Sequence, residues 1–227
     1  MGRALAVLGA VAIAALVAVG LWRYLSLDYV VQRALERRAP EIIGASVEVD
    51  AVQLSPGDGA GALRGLRIGN PHGFRTPHAA TVGRIEIALA PASLVKDVVL
   101  VQRIVVASPS ITYEPGSAGS NFEAIQRNVE RYLGGPGARK GAAGRKLLID
   151  ALTIRGARVT YAPQVGRGSA TIAFDLPDIE LRHLGQSRGG VTAGELAKII
   201  VDALTARMAE AMGRSASQRA LGGAVGR

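Results

Sequence analysis

The chain has 227 residues, which suits one domain of about 100–200 residues plus a flanking segment and is enough to bury a core without covalent staples. It contains no cysteine, which excludes disulfides and thiolate metal sites. The formal net charge is +9 and only 4% of residues are aromatic; few rings are left for stacking on single-stranded nucleic acid, and no nucleic-acid partner is expected. A surface this basic either keeps the protein soluble or draws it toward anionic lipid headgroups.

Ala4 to Trp22 holds no charged residue and no proline and is rich in alanine, valine and leucine. Crossing a bilayer as a helix takes about 17–25 such residues. Arg3 precedes the run, and Trp22, Arg23 and Tyr24 close it with side chains suited to the headgroup layer. Residues 1–25 therefore read as a transmembrane anchor. The competing reading is a cleaved signal peptide, whose apolar stretch is usually about 7–15 residues and ends at a small-x-small site; no convincing site precedes Trp22. Arg23, Arg33, Arg37 and Arg38 outnumber Arg3 and the free amine. By charge count alone the following domain would stay in the cytoplasm, although long domains translocate despite such charge.

Residues 26–212 form the predicted domain. Ser26 to Ile43 reads as a helix with Tyr29, Val30, Ala34 and Leu35 on one face and a break or offset at Pro40. From Ala45 the apolar period becomes two. Val47 and Val49 alternate with Glu48 and Asp50, Leu66 and Ile68 flank Arg67, and Ile85, Ile87 and Leu89 alternate with Arg84 and Glu86. These are half-buried strands, separated by turn signals at Ser55–Gly59 and Asn70–Gly73. Ser120 and Glu123 form a capping box for a helix over Asn121–Leu133, with Phe122, Ile125, Val129 and Leu133 as its stripe. Residues 134–145 read as a mobile Gly-rich basic linker. Strand patterns resume at Lys146 and run to about Leu184. Thr192 and Glu195 cap an amphipathic helix carrying Leu196, Ile199, Ile200, Ala203 and Leu204. Residues 213–227 read as a disordered basic tail. The pattern predicts an α+β fold, mostly antiparallel β, with flanking amphipathic helices.

Val99–Tyr113 aligns without a gap on Leu147–Tyr161. Each is an apolar strand, a short break, and a strand ending in Thr-Tyr, as in a repeating β unit that extends one sheet. Chance similarity of two hairpins is the alternative.

No catalytic constellation is present. His72, His78 and His183 lack a nearby acidic or thiolate cluster, so no metal is expected. Gly57–Gly61 opens no helix and reads as a hairpin turn. Asp175 and Asp178 flank Pro177 as solvated acids at a bend. Neither enzyme activity nor a cofactor is expected.

Several stretches together resemble the AsmA-like family of bacterial envelope proteins. They are the anchor followed by Gly44-Ala45-Ser46-Val47, then Leu63–Phe74 with its Asn-Pro-x-Gly-Phe turn, Val82–Leu94, Ile104–Glu114, and Ser120-Asn121-Phe122. The resemblance covers about residues 1–185. It implies a single-pass inner-membrane protein with its bulk in the periplasm, a curved repeat-built sheet forming a groove like that of chorein-type lipid-transfer proteins, and a role in outer-membrane assembly or phospholipid passage. Long members carry many repeats. About two β units are legible here, and roughly ten strands at ~4.8 Å each would be too short to bridge an envelope alone.

Alternation places Ile85, Ile87 and Leu89 on one side of their strand and Ile172, Phe174 and Leu176 on one side of theirs. These six are the candidate lipid-facing residues if the sheet's apolar face is an open groove. If the helices cover that face, they belong to a closed core. The expected partners are the inner membrane, phospholipid, and another envelope protein, the last engaged by strand addition at the sheet edges under a structural-module reading.

Overall fold

The computed structural model describes residues 27–134, 145–163 and 172–224. The Ala4–Trp22 run, nearly all of the expected linker and the last residues of the expected tail lie outside them. Among the described residues, no helix is long and apolar enough to cross a membrane.

The fold is α+β: a mostly antiparallel ten-stranded sheet, strongly curled into a half-barrel, with three helices. In chain order the elements are α1 (residues 27–43), β1 (Val47–Glu48), β2 (Ala51–Ser55), β3 (Ala60–Gly69), β4 (His78–Leu89), β5 (Val98–Ala107) and β6 (Ser110–Tyr113). A short hairpin of β7 (Pro115–Gly116) and β8 (Gly119–Ser120) leads to α2 (Asn121–Gly134). Then come β9 (Lys146–Arg155), β10 (Arg158–Tyr161), β11 (Ile172–Asp175), β12 (Ile179–Leu184) and α3 (Ala193–Ala224).

Several strands are halves of one run. β1 and β2 share a single register along β3. β5 and β6 share one along β4. β9–β10 lies parallel to β5–β6, and β11–β12 lies antiparallel to β9–β10. The sheet is thus six runs wide, about 30 Å at ~4.8 Å per strand, rather than ten strands wide as the sequence suggests. The repeat is real in space. Val99 pairs with Leu147 and Tyr113 with Tyr161 at one constant offset. Residues matched in sequence therefore point to the same face, and the Tyr113 and Tyr161 rings stack at 5.9 Å.

The breaks line up. Extending each register sets Asp50 opposite Gly65, Gly65 opposite Gly83, Gly83 opposite Ser108, Ser108 opposite Gly156, and Gly156 opposite Pro177. Gly65, Ser108 and Gly156 all have left-handed backbone, with φ of 61°, 46° and 60°. A Cβ on Gly65 would sit 1.9 Å from an Asp50 carboxylate oxygen, so only glycine fits. Hydrogen bonds carry the sheet across this crease: Ser108 N to Arg155 O, Arg158 N to Pro109 O, and Leu176 N to Ala157 O. The registers are unchanged across the crease, so no strand gains a residue over its neighbour and the runs bend together. Side-chain parity flips there. Ile104, Val106, Leu152 and Ile154 face inward on even numbers, whereas Ile111, Tyr113, Ala157 and Val159 do so on odd ones.

α1 runs through Pro40 to residue 43, where the sequence expects a break. Its end is closed by Gly44, whose N–H donates to Pro40 O at 2.8 Å with φ of 72°, a glycine-ended helix terminus. α1 also covers one sheet edge. Gln32 Nε2 donates to Val49 O at 2.6 Å, and Asp28 Oδ1 accepts from Leu54 N at 3.0 Å. Both capping boxes form as read: Ser120 with Glu123, and Thr192 with Glu195. α3 continues past Gly213 to Ala224, where the sequence reading placed a disordered tail; the Ala, Arg, Gln and Leu of this stretch are good helix formers.

Candidate functional site

The inner face of the half-barrel is lined by apolar rows running across the strands. Ile87 faces Ile104, which faces Leu152, which faces Leu181. The next row is Ile85, Val106, Ile154 and Ile179; the row on the other side is Leu89, Val101, Ile149 and Leu184. Beyond the crease, Ala80, Ile111, Val159 and Phe174 form a fourth row. Leu176 joins at the crease through its bond to Ala157. Ile172 ends the series beside Tyr161 and the stacked Tyr113.

The six candidate residues therefore share one face, on either side of the crease, but not one environment. Leu176 is buried in the main core, and Ile87 and Phe174 pack against it. Ile85 and Leu89 are half-buried, and Ile172 is 40% exposed. The core is closed from within by α3. Met208 and Ala211 are buried in it, while Leu196, Ile199, Ile200, Ala203 and Leu204 pack against it yet stay half-buried. α3 is also fixed to α2 by Gln126 to Asp202 at 2.6 Å and by the Lys198 ammonium, which bridges Glu130 and Asp202. These two carboxylates raise the Lys198 pKa above its ordinary value.

A second constellation is polar, buried, and invisible as a unit in the sequence. Glu114 is 1% exposed and Asn121 fully buried. The Glu114 carboxylate accepts from Arg75 N at 2.7 Å, Thr76 N at 2.8 Å and Thr76 Oγ1 at 2.6 Å. Asn121 Oδ1 accepts from Glu114 N and Phe122 N; its Nδ2 donates to Thr112 O and Asn70 Oδ1. Asn70 in turn donates to Thr76. The Asn-Pro-x-Gly-Phe turn, the Glu114 strand end and the Asn121 helix start, three separate stretches of the resemblance, thus meet in one knot. Its chemistry is structural: each buried polar group answers another. Only the spacing of Asn70, Glu114 and Asn121 within those motifs hinted at it.

The outer face is polar. A depression of about 560 Å³ lies between α1 and this face, lined by Asp28, Arg84, Glu86 and Arg103 among others, with Arg84 paired to Glu86 at 2.8 Å. Among the described residues no group of three or more His, Asp or Glu is placed to hold a metal ion. Asp175 pairs with Arg158, while Asp178 accepts from Gly156 N, so the acids beside Pro177 serve separate partners. His183 occupies a left-handed position with φ of 56° and lies 2.9 Å from Gln186.

Compared with known proteins, the chain matches no family model and no curated protein.

Proposed function

We propose that this chain is a non-enzymatic, AsmA-like envelope protein, held in the inner membrane by residues 1–25, with its half-barrel in the periplasm binding lipid along the apolar inner face. The observation that carries this reading is the inner face itself. Its apolar rows cross the sheet, and among the described residues the sheet does not close on itself. Helix α3 lies over the middle of it, burying Met208 and Ala211 while Leu196, Ile199, Ile200, Ala203 and Leu204 remain half-buried. Acyl chains entering beside α3 would meet mainly apolar side chains, at about 0.8 kcal/mol for each CH₂ removed from water. The role is then phospholipid passage or outer-membrane assembly close to the inner membrane, since a sheet about 30 Å wide spans no envelope.

The test is photochemical. The full chain in vesicles is exposed to a phospholipid carrying a photoactivatable acyl chain, and the attachment sites are mapped. Attachment on β4, β9 and α3 supports the reading. Attachment confined to residues 1–26 shows an anchor without a lipid site and overturns it. A reporter active only outside the cytoplasm, fused after Arg227, tests the periplasmic placement separately.

A second reading, an interaction module, is favoured by the contrast between the two sheet edges. α1 covers the β1–β2 edge, whereas among the described residues no strand pairs with the outer side of β11–β12. A partner strand could add there. Pro177, the kink at His183 and the charged Glu180 and Arg182 are features that also blunt such edges.

A further inference from the structure

Six large apolar residues are exposed among the described ones: Leu27, Tyr29, Val30, Val95, Leu100 and Ile172. Five of them gather at one end of the half-barrel. Hydrogen bonds trace this rim. Asp28, in the first turn of the described α1, accepts from Leu54 at the end of β2. The hairpin beyond Leu54 returns Gly59, whose carbonyl accepts from Leu89 N. Ala90 N then donates to Leu100 O, and the turn at Pro91–Ser93 leads into Val95, which is 88% exposed. Lys146 N donates to Asp97 O, Arg145 reaches Leu94 O, and Leu147 exchanges bonds with Val191 at the end of the Gly185–Gly190 loop. Only Ile172 lies at the opposite end.

This rim also holds the start of the described α1. Asp28 sits at Leu54, and one turn later Gln32 sits at Val49, farther along the edge run. α1 therefore climbs away from the rim, and residue 27, which follows the uncharged Ala4–Trp22 run in sequence, stands at it. Basic residues flank the apolar ones. Lys96, Arg145, Lys146 and Arg188 are all exposed here, interspersed with the acidic Asp28, Asp58, Asp97 and the helix-capping Glu195.

We propose that this rim rests on the bilayer surface, with Val95, Leu27 and Tyr29 in the headgroup layer and Lys96, Arg145, Lys146 and Arg188 beside anionic lipid phosphates. The inference rests on the anchored reading above. Exposed apolar residues with basic side chains among them suit the membrane interface, and a surface held next to the bilayer by a short tether binds it at high effective concentration. The half-barrel then stands end-on, its inner face opening toward the membrane it is tethered to.

Two probes separate the proposal from the anchor. The chain has no native cysteine and a single tryptophan, Trp22. Val95→Cys and, at the far end, Ile172→Cys are each labelled with an environment-sensitive fluorophore. The full chain is then reconstituted in vesicles of phosphatidylethanolamine with phosphatidylglycerol, and in phosphatidylcholine alone. Quenching of Trp22 by brominated lipid reports the anchor. The expected result is Trp22 quenched, with the Val95 label shifted to the blue and shielded severalfold from iodide while the Ile172 label stays in water. The Val95 shift should be larger with phosphatidylglycerol and reduced by Lys96→Glu with Arg188→Glu. Trp22 quenched with the Val95 and Ile172 labels equally wet overturns the docking and leaves the anchor standing. Trp22 unquenched overturns both. A Val95 shift that appears without vesicles and grows with protein concentration shows association between copies and also overturns the proposal.

Discussion

Ser108 and Gly156 stand opposite each other in the parallel runs β5–β6 and β9–β10, and both hold left-handed backbone, with φ of 46° and 60°. One is glycine, for which this conformation is free; the other carries a Cβ that resists it. Ser108→Gly should therefore stabilise the fold by about 0.5–1 kcal/mol, the relief of strain exceeding the extra entropy of the unfolded chain. Gly156→Val should destabilise it by about 1–3 kcal/mol, since a Cβ there would also lie 3.3 Å from Ser108 Oγ. Urea denaturation of the two variants checks both signs. Equal effects would show that the crease tolerates any residue and does not depend on backbone handedness.

The knot around Glu114 should be the most sensitive polar site in the domain. Asn121→Ala removes one acceptor and one donor group, leaving Glu114 N, Phe122 N, Thr112 O and Asn70 Oδ1 to find other partners. Each buried group left unsatisfied costs about 1–3 kcal/mol. Glu114→Gln replaces a carboxylate oxygen with an NH₂ that meets the N–H groups of Arg75 and Thr76, and should cost about 1–3 kcal/mol. Thermal melting monitored by circular dichroism measures both. A loss below 0.5 kcal/mol for Asn121→Ala, the level of an ordinary surface change, would show that the knot is not a structural tie.

Local periodicity made much of this architecture legible. The capping boxes, the α2 stripe and the shared face of Ile85, Ile87 and Leu89 depend on residues within a few positions of each other. The Val99–Tyr113 repeat was readable because its pairing partner sits at a constant offset. The crease was not readable. Asp50, Gly65, Gly83, Ser108, Gly156 and Pro177 become one line only when five registers are known, and Ser108 is not a residue type that announces positive φ. The knot was hidden for a related reason: Thr76, Glu114 and Asn121 lie in separate stretches, and no local pattern shows that the fold buries them together. Nor could periodicity show whether α3 covers the inner face, since an amphipathic helix has the same pattern on an open groove's rim and over a closed core.

Acid should loosen the start of α3. Glu195 Oε2 accepts from Thr192 N at 2.7 Å. That backbone bond, helped by the Thr192 side chain and by Arg188 and Lys146, holds the Glu195 carboxyl below its ordinary range. A depressed folded pKa gives stability that is present above the unfolded glutamate value, about 4.3, and is lost as pH falls through the folded value. Glu195→Gln should therefore cost about 0.5–1 kcal/mol at neutral pH and progressively less as the medium becomes more acidic. The two stability curves should converge on the acid side. Parallel curves across that range would exclude an ionised Glu195 cap as a contributor.

Ile87 and Ile172 separate the closed part of the inner face from its open margin. Ile87 packs against the main core in a row with Ile104, Leu152 and Leu181, so Ile87→Asp places a carboxylate among hydrocarbon with no cation opposite. The cost should be about 3 kcal/mol or more, a fall in Tm of roughly 6–12 °C for a domain of this size. Ile172 lies at the edge, 40% exposed, and Ile172→Asp should change stability by no more than about 0.5 kcal/mol. Acyl chains reaching the inner face past this margin would meet the new charge, so Ile172→Asp should keep the native melting transition while photo-attachment of lipid to β4, β9 and α3 declines. Unchanged attachment in a folded Ile172→Asp protein would mean that lipid does not enter by way of β11. Native stability in Ile87→Asp would mean that this row is not part of a closed core.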